Sequence, residues 1–155
     1  MKIYIINGPN LNMLGIREPE IYGKCGYDTL VSTVREFCEE RGVEPVFYQS
    51  NHEGDLVDKI QEAYFEGAAG IVINPGAYTH TSIAILDAVK ATSLPCVEVH
   101  ISKVEERESF RQVSYIREAC IKTVSGHGLA GYTMGVEAIL EHLKYKSAGL
   151  LCGKV

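Results

Sequence analysis

Glu98 and His100 stand two residues apart in the run Cys96-Val97-Glu98-Val99-His100-Ile101, whose apolar, β-branched character reads as a buried strand. Residues two apart on a strand point to the same face. The carboxylate can therefore orient the imidazole and stabilise its protonated form, which is what a general acid requires. Taken alone, His100 is equally well read as a core histidine satisfied by a backbone carbonyl. The amides of Ile101 and Ser102, with the Ser102 hydroxyl, can hold a carboxylate if they open a helix or turn. A complementary base is offered by Tyr22 in the polar, glycine-flanked stretch Gly15-Ile16-Arg17-Glu18-Pro19-Glu20-Ile21-Tyr22-Gly23, which reads as a lid. A phenol with an ordinary pKa near 10 is ionised in only about one part in a thousand at pH 7, so a neighbouring guanidinium must lower it. Arg17 is the local candidate, and an exposed loop with an ordinary arginine and a packed tyrosine is the alternative. A third cluster, Lys103 to Arg111, reads as a helix with Arg107 and Arg111 one turn apart on a common face, suited to an anion or hydroxyls. The alternative is a solvated helix face whose Arg107 pairs with a neighbouring glutamate at negligible net value.

Elements that would carry these groups are visible as periodicity. Apolar runs at Ile3-Ile6, Val43-Tyr48, Ile71-Ile73, Cys96-Ile101 and, less clearly, Cys120-Val124 suggest five strands buried on both faces. Helical spacing lies between and after them: Leu30, Val34, Phe37 and Cys38; Leu56, Val57, Ile60 and Tyr64; Ile85, Leu86 and Val89; Val136, Ile139, Leu140 and Leu143. Alternating strands and helices with short connections predict right-handed βαβ units: an α/β, flavodoxin-like three-layer sandwich on a five-stranded parallel sheet. One domain is expected over residues 1–146, with 147–155 a tail that is either a poorly ordered terminus or an assembly contact.

In such sheets ligands bind beyond the carboxyl ends of the strands. The residues there are polar: Asn7-Gly8-Pro9-Asn10-Leu11-Asn12, Gln49-Ser50-Asn51-His52-Glu53-Gly54, Asn74-Pro75-Gly76-Ala77-Tyr78-Thr79-His80-Thr81, and Glu98 to Ser102. Each has a structural reading, because Asn, Gly and Pro build turns, and Thr79, Ser50 or Asn51 can cap the following helix. Convergence of four such stretches on one edge favours a shared cleft around Asn10, Asn74 and His100.

Composition narrows the classes of function. Five cysteines, odd in number and scattered without a C-x-x-C pair, suggest neither a disulfide framework nor a zinc knuckle, and suit a reducing cytoplasm. No apolar stretch approaches the roughly 20 residues of a membrane span. A net charge of -5 argues against a broad nucleic-acid surface. The expected partner is a small molecule.

With these motifs assembled, the chain closely resembles the type II 3-dehydroquinate dehydratases over almost its whole length. The resemblance rests on Ile6 to Gly15, Arg17-Glu18-Pro19 with Tyr22-Gly23, Gln49 to Gly54, Asn74 to Ser82, and Glu98 to Ser102, with no departure at these positions. Any one motif alone is weak; in this order they are specific. The resemblance implies that Tyr22, ionised with help from Arg17 and Arg107, removes a proton beside the ketone of 3-dehydroquinate to give an enolate, and that His100 protonates the departing hydroxyl. It further implies that Asn10 positions a water on the enolate oxygen and that Asn74 and Glu98 orient His100. Ile101 and Ser102 bind the carboxylate, and Gly76, His80 and Arg111 contact the remaining oxygens. Asp87 resembles the family aspartate that reaches a neighbouring subunit's site, which implies a trimeric unit and a homododecamer of four trimers. The reaction implied is a cofactor-independent and metal-independent elimination by a cytoplasmic lyase, in the shikimate pathway or in quinate breakdown. No matching motif follows Tyr145.

Three rivals make different demands on the sequence. An FMN-binding electron carrier of this fold needs a hydroxyl-rich, phosphate-cradling loop after the first strand, where Gly8-Pro9-Asn10 stands. A phospho-receiver needs clustered acidic residues at the early strand ends, where Asn7 and Asn10 stand. A metal hydrolase using His80, Asp87, Glu98 and His100 would need metal-ligand spacing that these separate motifs lack.

Overall fold

The computed structural model describes residues 1–16 and 26–152, with side chains to 148. Within them the backbone forms strands β1 (Lys2–Asn7), β2 (Glu44–Gln49), β3 (Gly70–Asn74), β4 (Cys96–His100) and β5 (Lys122–Ser125), and helices α1 (Tyr27–Glu39), α2 (Glu53–Phe65), α3 (Ile83–Thr92) and α4 (Ala130–Cys152). All strand pairings are parallel, in the order β2-β1-β3-β4-β5. This is the flavodoxin-like order that the alternation predicts. The last strand begins at Lys122 rather than Cys120, because Ile116–Ala119 closes a 3₁₀ turn that Cys120 leaves in extended conformation.

Strand alternation divides the core into two layers. Ile3, Ile5, Val72, Val97 and Val99 face one way, onto Leu30 and Val34 of α1 and Val136 and Ile139 of α4. Tyr4, Ile6, Ile71 and Ile73 face the other way, onto Leu56 and Ile60 of α2 and Ile85 and Val89 of α3. The central strands β1, β3 and β4 are buried almost throughout, whereas β2 on the edge is only half covered.

Local chemistry sets where the helices begin. Ser82, not Thr79, caps α3: its hydroxyl accepts from the Ile85 amide at 2.9 Å. Ser50 accepts from the His52 amide at 3.0 Å and donates to Asp55 at 2.6 Å, which fixes the turn into α2. Helix α4 continues through the expected tail to Cys152, with exposed side chains over residues 144–148. No helix of the described residues is long and apolar enough to cross a membrane.

Candidate active site

Strand order reverses between β1 and β3, since β1 leads outward to β2 while β3 leads to β4 and β5. A crevice opens beyond the strand ends at such a reversal. Here it is a concave cleft lined by both polar and apolar side chains, as small-molecule sites are. Three of the four polar stretches line it, through Asn10 after β1, Asn74, Gly76 and His80 after β3, and His100, Ile101 and Ser102 after β4. The fourth does not reach it, because β2 lies outside the reversal. It buttresses instead: Asn51 Oδ1 accepts from the Asn10 amide at 2.9 Å, and Gln49 Nε2 donates to the Gly8 carbonyl at 3.1 Å.

Close backbone packing brings the β1 and β3 loops together. The Gly8 amide donates to the Asn74 carbonyl at 2.8 Å, and a Cβ on Gly8 would lie 2.4 Å from the Pro75 oxygen. Gly76 takes φ +59°, a left-handed conformation that favours glycine. Asn10 is also left-handed at φ 68°, which asparagine tolerates better than most side chains.

Glu98 is fully buried behind His100, as strand geometry predicts, and does not itself line the cleft. His100 Nε2 lies 2.8 Å from Glu98 Oε1. Hydroxyls from two other segments, Thr79 and Ser114, also donate to this oxygen, the latter at 2.7 Å. Thr123 donates to the other oxygen at 3.3 Å, with Arg117 Nε 3.8 Å away. Burial alone would raise the Glu98 carboxyl, but the hydrogen bond and charge of His100, with the Thr79 and Ser114 hydroxyls, outweigh it and hold the pKa at about 2. An ionised carboxylate only accepts, so Nε2 of His100 donates and Nδ1 is the nitrogen left for the cleft. His80 is fixed in the opposite sense: its Nδ1 donates to the Val113 carbonyl at 2.7 Å, leaving Nε2.

Arg107 and Arg111 both line the cleft, but they do not share a helix face. Val104–Glu106 and Ser109–Arg111 form two separate 3₁₀ turns, with Arg107 in extended conformation between them. Glu108 ties the pair together: its Oε2 is 2.9 Å from Arg111 Nε and 3.5 Å from Arg107 Nε. Leu11, Leu14 and Val104 supply apolar wall. Asp87 is exposed on α3 and does not line this chain's own cleft. Arg17 and Tyr22 lie outside the described residues.

Sequence reasoning missed the shell behind the site. Thr79 was legible only as a cap candidate, and Ser114, Arg117 and Thr123 carry no local signal, because their proximity to Glu98 exists only once the sheet has formed. Tyr132 was also missed. It is completely buried at the start of α4, where its hydroxyl meets Asn7 and Asn74. The signal available was a tyrosine on the apolar face of a helix, since a buried phenol needs a polar partner.

The profile of the family described as "Dehydroquinase class II" matches residues 1–140. The 3-dehydroquinate dehydratase of Caldicellulosiruptor bescii is 50% identical over 142 residues, covering 92% of this chain and 98% of its own. That of Clostridium perfringens strain 13 is 51% identical over 146 residues, covering 94% and 100%. The crystal structure of a type II dehydroquinase from Butyrivibrio crossotus superposes with a TM-score of 0.88 at 54% identity, over 90% of this chain and 97% of that one.

Proposed function

The chain belongs to the class II dehydroquinase family, and from that membership we propose that it is a 3-dehydroquinate dehydratase, converting 3-dehydroquinate to 3-dehydroshikimate by anti elimination of water through an enolate. The observation that carries the reading is the buried Glu98–His100 couple opening onto a cleft at the strand-order reversal. Elimination of a β-hydroxyl from a ketone needs one group to take the α proton and another to supply a proton to the leaving oxygen. His100 is the acid. Its Nε2 is held by a carboxylate that stays ionised, and its Nδ1 proton is the one given to the departing hydroxyl. Tyr22 is the base, lowered by Arg17 and by Arg107, whose guanidinium already stands at the cleft. Asn10 holds the water that stabilises the enolate oxygen.

Binding is assigned to the remaining lining residues. Ile101 and Ser102 take the carboxylate, and Asn74 binds substrate while helping to orient His100. Gly76, His80 and Arg111 contact the other oxygens. The net reaction changes no oxidation state, so it calls for no redox cofactor, and the acid–base pair replaces a metal. Asp87 acts in a neighbouring subunit's site. Ile83, 48% exposed one turn before it on α3, and Phe110, 67% exposed, give that subunit an apolar surface to cover. Trimers assembled into a dodecamer, in the cytoplasm and serving aromatic biosynthesis or quinate breakdown, complete the reading.

The test is appearance of the conjugated enone from 3-dehydroquinate, followed by ultraviolet absorbance with metal-stripped protein. Wild type is expected to turn over unaffected by chelator, and Tyr22→Phe to lose ~10²–10⁴-fold in kcat. An inactive wild type overturns the function; a fully active Tyr22→Phe removes the base.

A further inference from the structure

Asn7 and Asn74 end neighbouring strands and face each other in register. Both side chains are buried, at 0% and 4% exposure, so each amide must find its partners within the protein. Tyr132, third residue of α4 and 0% exposed, reaches between them. Its hydroxyl lies 2.7 Å from Asn7 Oδ1 and 2.9 Å from Asn74 Nδ2.

An amide can sit in either of two orientations that exchange oxygen and nitrogen, and here the sequence of donors decides between them. The Gly76 backbone N–H can only donate, and it lies 3.2 Å from Asn74 Oδ1. Asn74 Nδ2 therefore turns to Tyr132, whose oxygen accepts. The single Tyr132 proton is then given to Asn7 Oδ1, which leaves Asn7 Nδ2 to donate to the Tyr27 hydroxyl at 3.4 Å. Burial holds the Tyr132 phenol far above its usual range, against the pull of the Asn74 hydrogen bond, so the proton stays in place. The result is one directed chain of donation from Gly76 in the cleft to Tyr27 at the start of α1. Asn74 and Gly76 line the cleft; Tyr132 and Asn7 do not.

We propose that Tyr132 is a positioning residue for the reaction: by accepting from Asn74 Nδ2, its hydroxyl secures the amide in the orientation that the Gly76 N–H selects, and so holds the face of Asn74 presented to substrate and the Gly76 turn that the amide caps. The inference rests on the reading of this cleft as the 3-dehydroquinate site. With phenylalanine at 132, Asn74 Nδ2 loses its acceptor, and the Gly76 N–H alone still holds the amide by its oxygen. The side chain then swings about a single hydrogen bond, and its polar atoms are no longer held where substrate meets them. Asn7→Ala acts by another route, because it removes the acceptor that claims the Tyr132 proton and frees the phenol to donate to a flipped Asn74.

The experiment is a double-mutant cycle on kcat/KM for 3-dehydroquinate with wild type, Tyr132→Phe, Asn74→Ala and the double variant, at a temperature where each is folded by circular dichroism. Tyr132→Phe is expected to lose about tenfold in kcat/KM, a loss of one good hydrogen bond's size. In the Asn74→Ala background the same change is expected to lose less than about threefold, because coupled residues are not additive. A merely structural tyrosine would lower the melting temperature and multiply with Asn74→Ala. Multiplying effects, or wild-type kcat/KM in folded Tyr132→Phe, overturn the proposal. If Tyr132→Phe does not fold, Asn7→Ala carries the test, with a loss of similar size expected and wild-type kinetics overturning. Inactivity of the wild type itself instead overturns the reading of the site, and the inference with it.

Discussion

The end of β4 and the segment from Lys103 to Arg111 meet in one cleft but are held by different physics. Glu98 is a fully buried charge surrounded by donors from three other segments, on a strand paired along both edges. Glu108 is a half-exposed charge shared by two arginines on a pair of single 3₁₀ turns. A buried carboxylate of the first kind cannot be left without partners and is insensitive to salt. Exposed pairs of the second kind are cheap to break and are screened. The first arrangement suits a group whose proton must be delivered at a fixed place. The second can be rearranged by salt or by a competing charge at little cost.

The sharpest break of this contrast is at His100. Replacing it with alanine is expected to lower kcat ~10²–10⁴-fold with a much smaller change in KM, measured by steady-state kinetics. Next comes Glu98→Gln. Because the folded carboxyl titrates at about 2, below its ordinary value, its stabilisation is complete above the unfolded pKa and disappears as pH falls toward 2. Denaturant unfolding should show the variant weaker by roughly 3 kcal/mol at pH 7, with the gap closing below pH 4.5 and gone near pH 2. A gap that is flat across that window would mean that Glu98 is not the buried anion described here.

Arg111→Ala should raise KM about tenfold while largely sparing kcat, and should weaken the salt dependence of kcat/KM seen in wild type. Smallest is Glu108→Gln, which removes the carboxylate charge beside Arg107 and Arg111: KM for an anionic substrate is expected to fall by no more than about threefold. If Glu108→Gln instead cost as much as Glu98→Gln, the two regions would not differ as argued.

Much of this was legible before the chain folded. The period-2 placement of Glu98 and His100 survives intact, and the sheet has the flavodoxin-like order expected of alternating strands and helices. The second polar stretch, at Gln49 to Gly54, misled because polarity after a strand marks the sheet edge but not the reversal point. Arg107 and Arg111 misled in another way. Their spacing fits a helix, yet the segment makes only single 3₁₀ turns, a form in which runs longer than a few residues are uncommon. Both nonetheless reach the cleft, through chain direction rather than helical period.

What the sequence determined by itself was whatever depends on neighbours along the chain: strands from apolar runs, the shared face of Glu98 and His100, and the motifs that mark the family. Only the tertiary structure decided which distant hydroxyls hold Glu98 ionised, and that Tyr132 arbitrates the amides of Asn7 and Asn74. Those contacts join residues 16 to 125 positions apart. Their hydrogen bonds gain full strength only after the sheet and helices have excluded water, so no local pattern could announce them.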